Sequence, residues 1–249
     1  MTLGVALAAC IAHYWLMRLR APYTLERRAL WLHFACRRVM AAMGVACRVE
    51  GQVPTHGLVV ANHLSHIDIV ILGAIMPCFF VAKAEVGSWP YFGRAAQSGG
   101  ALFIDRSRRS SADEVAREIA QRLKLSVPVL LFPEGTSTDG SVVLRFHTGL
   151  FEPAVAARAP VTAAAIRYVI DGGIPERELC WFGDALFLPH LLRVLRTKGF
   201  CAEVHFGAPR VYASRRMAAQ ATHGEIAAMR GDAGPRPEPD DVRSLSQVE

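Results

Sequence analysis

VPVLLFPEGTSTDG, residues 127–140, joins a short run that is apolar almost throughout to a turn rich in Gly, Thr, Ser and Asp. A run of this kind, without polar alternation, reads as a strand buried on both faces, the type found in parallel sheets. Similar runs recur on either side: GLVVAN (57–62), CFFVAK (78–83) and ALFIDR (101–106) upstream, PVTAAAIRYV (160–169) and CAEVHFGAP (201–209) downstream. Helical stretches lie between them. IDIVILGAIM (67–76) is stopped by Pro77, SADEVAREIAQRLKL (111–125) carries Ser111 and Glu114 at capping-box spacing and an i,i+4 pair in Glu118 and Arg122, and HTGLFEPAVAARA (147–159) follows. Strands alternating with helices predict an α/β fold with a mostly parallel central sheet flanked by helices.

The chain has 249 residues, enough for one large α/β domain or two small ones, and a hydrophobic fraction of 52%. Its net charge of +6 favours anionic partners such as acidic lipid surfaces or phosphorylated substrates. The basic residues are not interleaved with aromatics and form no recognisable module, so no nucleic-acid partner is expected. Six cysteines (Cys10, Cys36, Cys47, Cys78, Cys180 and Cys201) are scattered without a CxxC pair. That pattern fits neither a zinc site nor a disulfide framework, and reads as free thiols in a reducing compartment.

Residues 3–17, LGVALAACIAHYWLM, are apolar except for His13, and Arg18 and Arg20 follow at once. Such a helix is short for a bilayer core of about 30 Å. In the next stretch Leu25, Leu32, Val39 and Met43 recur near heptad spacing, with Arg27, Arg28, Arg37 and Arg38 among them. Residues 1–45 are therefore expected to form a membrane-anchoring, interfacial helical segment, with the body on the cytoplasmic face of a membrane, in a bacterium the inner one. Residues 46–221 form the expected catalytic domain. Residues 222–249 lose apolar periodicity and are expected to be a tail, disordered from about Gly231.

Chemistry-bearing residues gather where strands end, the place where ligands bind on open parallel sheets. NHLSHID (62–68) follows the first strand. Asp68, in the first turn of a helix predicted to start at Ser65, is close enough to take the proton on one ring nitrogen of His63, leaving the other to act as a general base. The same residues also fit a plain helix cap beside an ordinary polar histidine. His66, one residue into that helix, points elsewhere, and no fourth ligand stands at a zinc-like spacing, so no metal is expected. Arg106 ends the ALFIDR strand and can grip a phosphate or carboxylate at two points. In the 132–140 turn, Gly135 lets the backbone approach a ligand, Thr136 and Ser137 offer hydroxyls, and Glu134 either binds the acceptor, orients an arginine or stands exposed at the turn.

Together these segments resemble the glycerolipid acyltransferase superfamily, that of the 1-acylglycerol-3-phosphate acyltransferases. Its N-H-x-S-x-x-D block is met by Asn62, His63, Ser65 and Asp68, its G-x-x-F-[IV]-x-R block by Gly100, Phe103, Ile104 and Arg106, and its F-P-E-G-T block by residues 132–136. The resemblance covers about residues 55–210. It implies His63 as base with Asp68 as partner, and Arg106, Glu134, Gly135, Thr136 and Ser137 as binding residues for the acceptor. It further implies acyl-CoA or acyl carrier protein as co-substrate, no other cofactor, and a lysolipid acceptor, 1-acylglycerol-3-phosphate giving phosphatidic acid. Phosphate-binding members often carry Arg after E-G-T, where Ser137 stands here. That departure, with WFGDALFLPHL (181–191), resembles the bacterial lyso-ornithine-lipid acyltransferases and makes their acceptor the alternative. A hydrolase built on Ser65 lacks a G-x-S-x-G elbow. A non-catalytic lipid-binding or membrane-surface protein is the alternative of another class.

Overall fold

Two helices precede the sheet in the computed structural model, which describes residues 3–20, 22–89, 92–105, 109–197 and 199–231. They are α1 (Leu3–Arg20) and α2 (Leu25–Ala42), the latter capped by the Thr24 hydroxyl, which accepts from the Arg27 N–H. Next come β1 (Ala46–Glu50), β2 (Leu58–Ala61), α3 (Ile67–Ile75), β3 (Phe79–Lys83), α4 (Phe92–Ser98) and β4 (Leu102–Ile104). The chain continues through α5 (Arg109–Arg122), β5 (Val129–Leu131), α6 (Glu152–Ala156), β6 (Val161–Val169), α7 (Phe187–Arg196), β7 (Cys201–Phe206) and α8 (Arg215–Arg230). The seven strands form one sheet in the order β1-β7-β6-β2-β5-β3-β4. Every neighbouring pair is parallel except β6 and β7.

The apolar runs become strands because both faces of the sheet are covered. Along β2, Val59 and Ala61 join one core layer and Leu58 and Val60 the other. Along β5, Leu130 faces the first layer while Val129 and Leu131 face the second. Alternation is present in space yet invisible as hydropathy, since neither face meets water.

Two expectations about domain boundaries are corrected. The apolar stripe of α2 is spent on protein: Ala29, Trp31, Leu32 and Cys36 are buried, and α2 packs along α3. It is therefore part of the body, with no seam at residue 45. Of these two helices it is α1 that leaves a broad apolar face uncovered, with Val5, Ile11, Trp15 and Leu19 exposed while Ala6 and Cys10 are buried. Among the described residues, no helix is long and apolar enough to cross a membrane. At the other end, residues 222–230 are not tail. They complete α8, which starts at the Ser214 cap, ends on Gly231 in the left-handed conformation, and packs on β6 through buried Thr222, Ile226 and Arg230. Residues 232–249, expected to be disordered, lie outside the described residues.

Arg230 is 3% exposed and donates to the carbonyls of Ile166 and Gly140 and to the Glu176 carboxylate at 2.9 Å. Glu176 in turn accepts from the Tyr168 N–H at 2.7 Å. Removing one partner of a buried ion pair leaves a charge uncompensated, at a cost of about 3–5 kcal/mol. Arg230→Ala is therefore expected to lower the unfolding free energy by about that amount, read from urea denaturation.

Candidate active site

β2, β5, β3 and β4 are parallel neighbours, so their carboxyl ends share one edge of the sheet. The NHLSHID segment leaves β2 there, and the PEGTST turn leaves β5 beside it. The ALFIDR strand, as β4, ends on the same edge. Arg106 itself lies outside the described residues.

Asn62 ends the strand by imitating it. Its side-chain amide accepts from the Ile166 N–H at 2.8 Å and donates to the Ile166 carbonyl at 3.1 Å, extending the β2–β6 ladder by one side chain. The chain then turns sharply, and the helix starts at Ile67, two residues later than the expected start at Ser65. Ser65 is fully buried and its hydroxyl accepts from the Ile67 N–H at 3.4 Å.

Asp68 organises this turn. It is 0% exposed, and Oδ2 accepts from His63 Nδ1 at 2.8 Å, from the Leu64 N–H at 2.7 Å and from the Ser65 N–H at 3.0 Å. Oδ1 accepts from the hydroxyl of Tyr168. Burying a carboxylate is costly unless its lone pairs are occupied, and four donors converge here. Cap and histidine partner are thus one function: the same oxygen holds the turn and the imidazole. Contact with Asp68 assigns the hydrogen of His63 to Nδ1 and leaves Nε2 as the lone-pair nitrogen. The His63 ring, 17% exposed, stacks on Phe132 with centroids 4.1 Å apart.

The turn after β5 clamps the same histidine by its backbone. Glu134 is not exposed but 4% accessible; Oε1 accepts from the His63 N–H at 2.7 Å and Oε2 from the Leu144 N–H at 2.8 Å. Thr138 N–H donates to the His63 carbonyl at 2.9 Å. Gly135 has φ +80°, a conformation that costs other residues and gives the turn its return toward β2. Ser137 does not face outward: its hydroxyl donates to the Trp181 carbonyl, and the Trp181 N–H donates to the Leu64 carbonyl at 2.8 Å. Thr136 is exposed.

His66 points away from His63, into a cluster with Trp181, Phe187 and His190. Neither of its ring nitrogens has a hydrogen-bond partner, and burial pushes the imidazole down to about 3, so it stays neutral. Tyr168 is the member that sequence reasoning missed. Its signal was the inward alternation of Ala164, Ile166 and Tyr168 along β6, because a buried phenol needs a partner for its hydroxyl.

Residues 45–167 match the family model named Acyltransferase. A lyso-ornithine lipid O-acyltransferase of Pseudomonas aeruginosa is 38% identical over 203 residues, an alignment covering 78% of this chain and 74% of that protein. A 1-acyl-sn-glycerol-3-phosphate acyltransferase of Neisseria meningitidis is 36% identical over 140 residues, covering 55% of each. In three dimensions the chain is similar to the 1-acyl-sn-glycerophosphate (LPA) acyltransferase PlsC from Thermotoga maritima, with a TM-score of 0.65 over 93% of this chain and 89% of that one; at 20% identity this likeness is one of fold. The chain belongs to the acyltransferase family.

Burial pushes the Glu134 carboxyl up from 4.5 to about 8, against the pull of the Leu144 and His63 N–H donors. A carboxyl raised on folding holds a proton in the native state that the unfolded chain has released. Its contribution to stability is full below about 4.5 and is lost as pH rises through about 8. The stability difference between wild type and Glu134→Gln is therefore expected to narrow from about pH 5 to about pH 9, measured by urea denaturation at both.

Proposed function

We propose that this chain transfers a fatty acyl group from a thioester carrier, acyl-CoA or acyl carrier protein, to a hydroxyl of a lysolipid. The observation that carries this reading is His63, held at the carboxyl edge of the sheet by Asp68 on one ring nitrogen and by Glu134 and Thr138 on its backbone. In this reading Nε2 takes the proton of the acceptor hydroxyl as its oxygen attacks the thioester carbonyl. The tetrahedral intermediate collapses by breaking the C–S bond, and the imidazolium returns the proton to the leaving thiolate. Asp68 holds the ring in the required tautomer and steadies its cationic form; Tyr168 holds Asp68. A thioester is already activated, so positioning and one imidazole that takes and returns a proton suffice without a further cofactor. Ser65, buried and engaged with the Ile67 N–H, is not placed to be an acylated nucleophile.

Glu134, Gly135 and Ser137 serve this reaction through the protein's own backbone. Arg106 and Thr136 are the head-group contacts of this reading. β4 stands three strands from β2, about 14 Å at ordinary strand spacing. We favour lyso-ornithine lipid as acceptor: its named acyltransferase aligns over most of both chains, and Ser137 stands where an arginine would meet phosphate. The second reading, 1-acylglycerol-3-phosphate, is supported by Arg106 and by the relative from Neisseria meningitidis. A water-insoluble acceptor and the exposed apolar face of α1 support work at a membrane surface.

Purified protein given labelled acyl-CoA or acyl carrier protein, with each lysolipid separately, tests the reading. Product from lyso-ornithine lipid supports the favoured acceptor; product from 1-acylglycerol-3-phosphate alone supports the second. His63→Ala is expected to abolish transfer while the fold persists. Asp68→Asn is expected to lower kcat by about 10³–10⁴-fold and Tyr168→Phe by about tenfold or more, in initial-rate assays. An Asp68→Asn protein that melts early yet keeps its kcat would reduce Asp68 to a turn former.

A further inference from the structure

α7 has no part in the chemistry above, yet its buried and exposed sides are both apolar. At 3.6 residues per turn, Phe187, His190 and Val194 form the face against the body. Leu188, Leu192 and Leu195 form a second stripe beside it, 61%, 42% and 36% exposed. Leu186, just before the helix, is 72% exposed. Nothing within the described residues covers this stripe. Arg196 and Arg193 follow it around the helix; Arg193 is 62% exposed and meets Glu178 only at 3.9 Å. Surface pairs of that kind contribute little, and leave the guanidinium available to an anion.

A leucine stripe edged by arginines fits the interface of an anionic bilayer, where the leucines enter the acyl boundary and the arginines meet the lipid phosphates. It fits an antiparallel second copy of this chain poorly, because the two-fold axis across the stripe then brings the arginine edge toward its own counterpart. The place also suits a lipid surface. The Phe187 ring stands 4.7 Å from that of His66, and the loop leading into α7 donates from the Trp181 N–H to Leu64 in the catalytic turn. Phe92 on α4, 43% exposed and 5.3 Å from Phe187, extends the apolar patch.

We propose that α7 is a membrane-docking element separate from α1, seating Leu188, Leu192 and Leu195 in an anionic bilayer beside the catalytic turn so that a lipid acceptor reaches His63 without leaving the bilayer. Only the last clause rests on the lysolipid reading. The full chain is compared with the double variants Leu192→Asp/Leu195→Asp and Arg193→Glu/Arg196→Glu by sedimentation with phosphatidylcholine vesicles, with and without phosphatidylglycerol. The leucine variant is expected to bind about tenfold more weakly to both, α1 being intact, and the arginine variant to lose the preference for phosphatidylglycerol. Turnover of a water-soluble short-chain lysolipid is expected to stay within about twofold of wild type in both variants, since neither touches the catalytic turn. As a check that does not depend on charge insertion, Leu192→Trp is expected to add fluorescence quenching by brominated phosphatidylcholine above the wild-type level. Wild-type vesicle binding by the leucine variant, or no added quenching, overturns the proposal. So does a leucine variant that loses only self-association in light scattering. If no lysolipid is acylated by wild type while the leucine variant still loses vesicle binding, the docking element stands and the acceptor reading falls.

Discussion

The buried carboxylate of Asp68 sets the terms for the active site. Four hydrogen-bond donors must reach one side chain from which water is excluded: an imidazole, two backbone N–H groups and a phenol. Three come from the five residues before it, which forces the tight turn between β2 and α3. The fourth comes from Tyr168, 100 positions further along the chain, and arrives only because β6 is hydrogen-bonded directly to β2. Local sequence writes the turn, and sheet topology completes it.

Glu134 repeats the logic on the neighbouring strand. Its oxygens also go to backbone N–H groups, one of them on His63. The histidine is thereby held through its ring by one buried acid and through its main chain by another. Two acids, one at the start of α3 and one in the turn after β5, give one side chain little freedom, the condition that the proposed role of base requires.

The parts of this arrangement legible in sequence were those with local causes. Runs such as LVVA and VLL declare buried strands because both of their faces are covered, and His63 with Asp68 is a short-range pairing. The illegible parts had distant causes. β1 is largely exposed, charged and at the sheet edge, so its ACRVE carries no apolar signature; only pairing with β7 makes it a strand. The stripe of α2 is equally apolar whether lipid or α3 covers it, and hydropathy cannot tell the two apart. Glu134 sits in a turn whose composition favours exposure, and what draws it inward are the N–H groups of His63, in the turn after β2, and of Leu144. α8 is rich in alanine, polar residues and a glycine, and its weak periodicity hides Ile226 and Arg230, the residues that anchor it.

Arg230 carries a consequence for the order of assembly. Its guanidinium ties Gly140, at the end of the catalytic β5 turn, to Ile166, the residue that Asn62 also grips, and to the loop bearing Glu176. β2, α3 and β5 leave the ribosome before α8, so the turn after β5 stays without this brace until α8 has been made and has docked. A chain that stops short of Arg230 would therefore hold His63, Asp68, Glu134 and Tyr168 without the brace that ties the turn after β5 to β6.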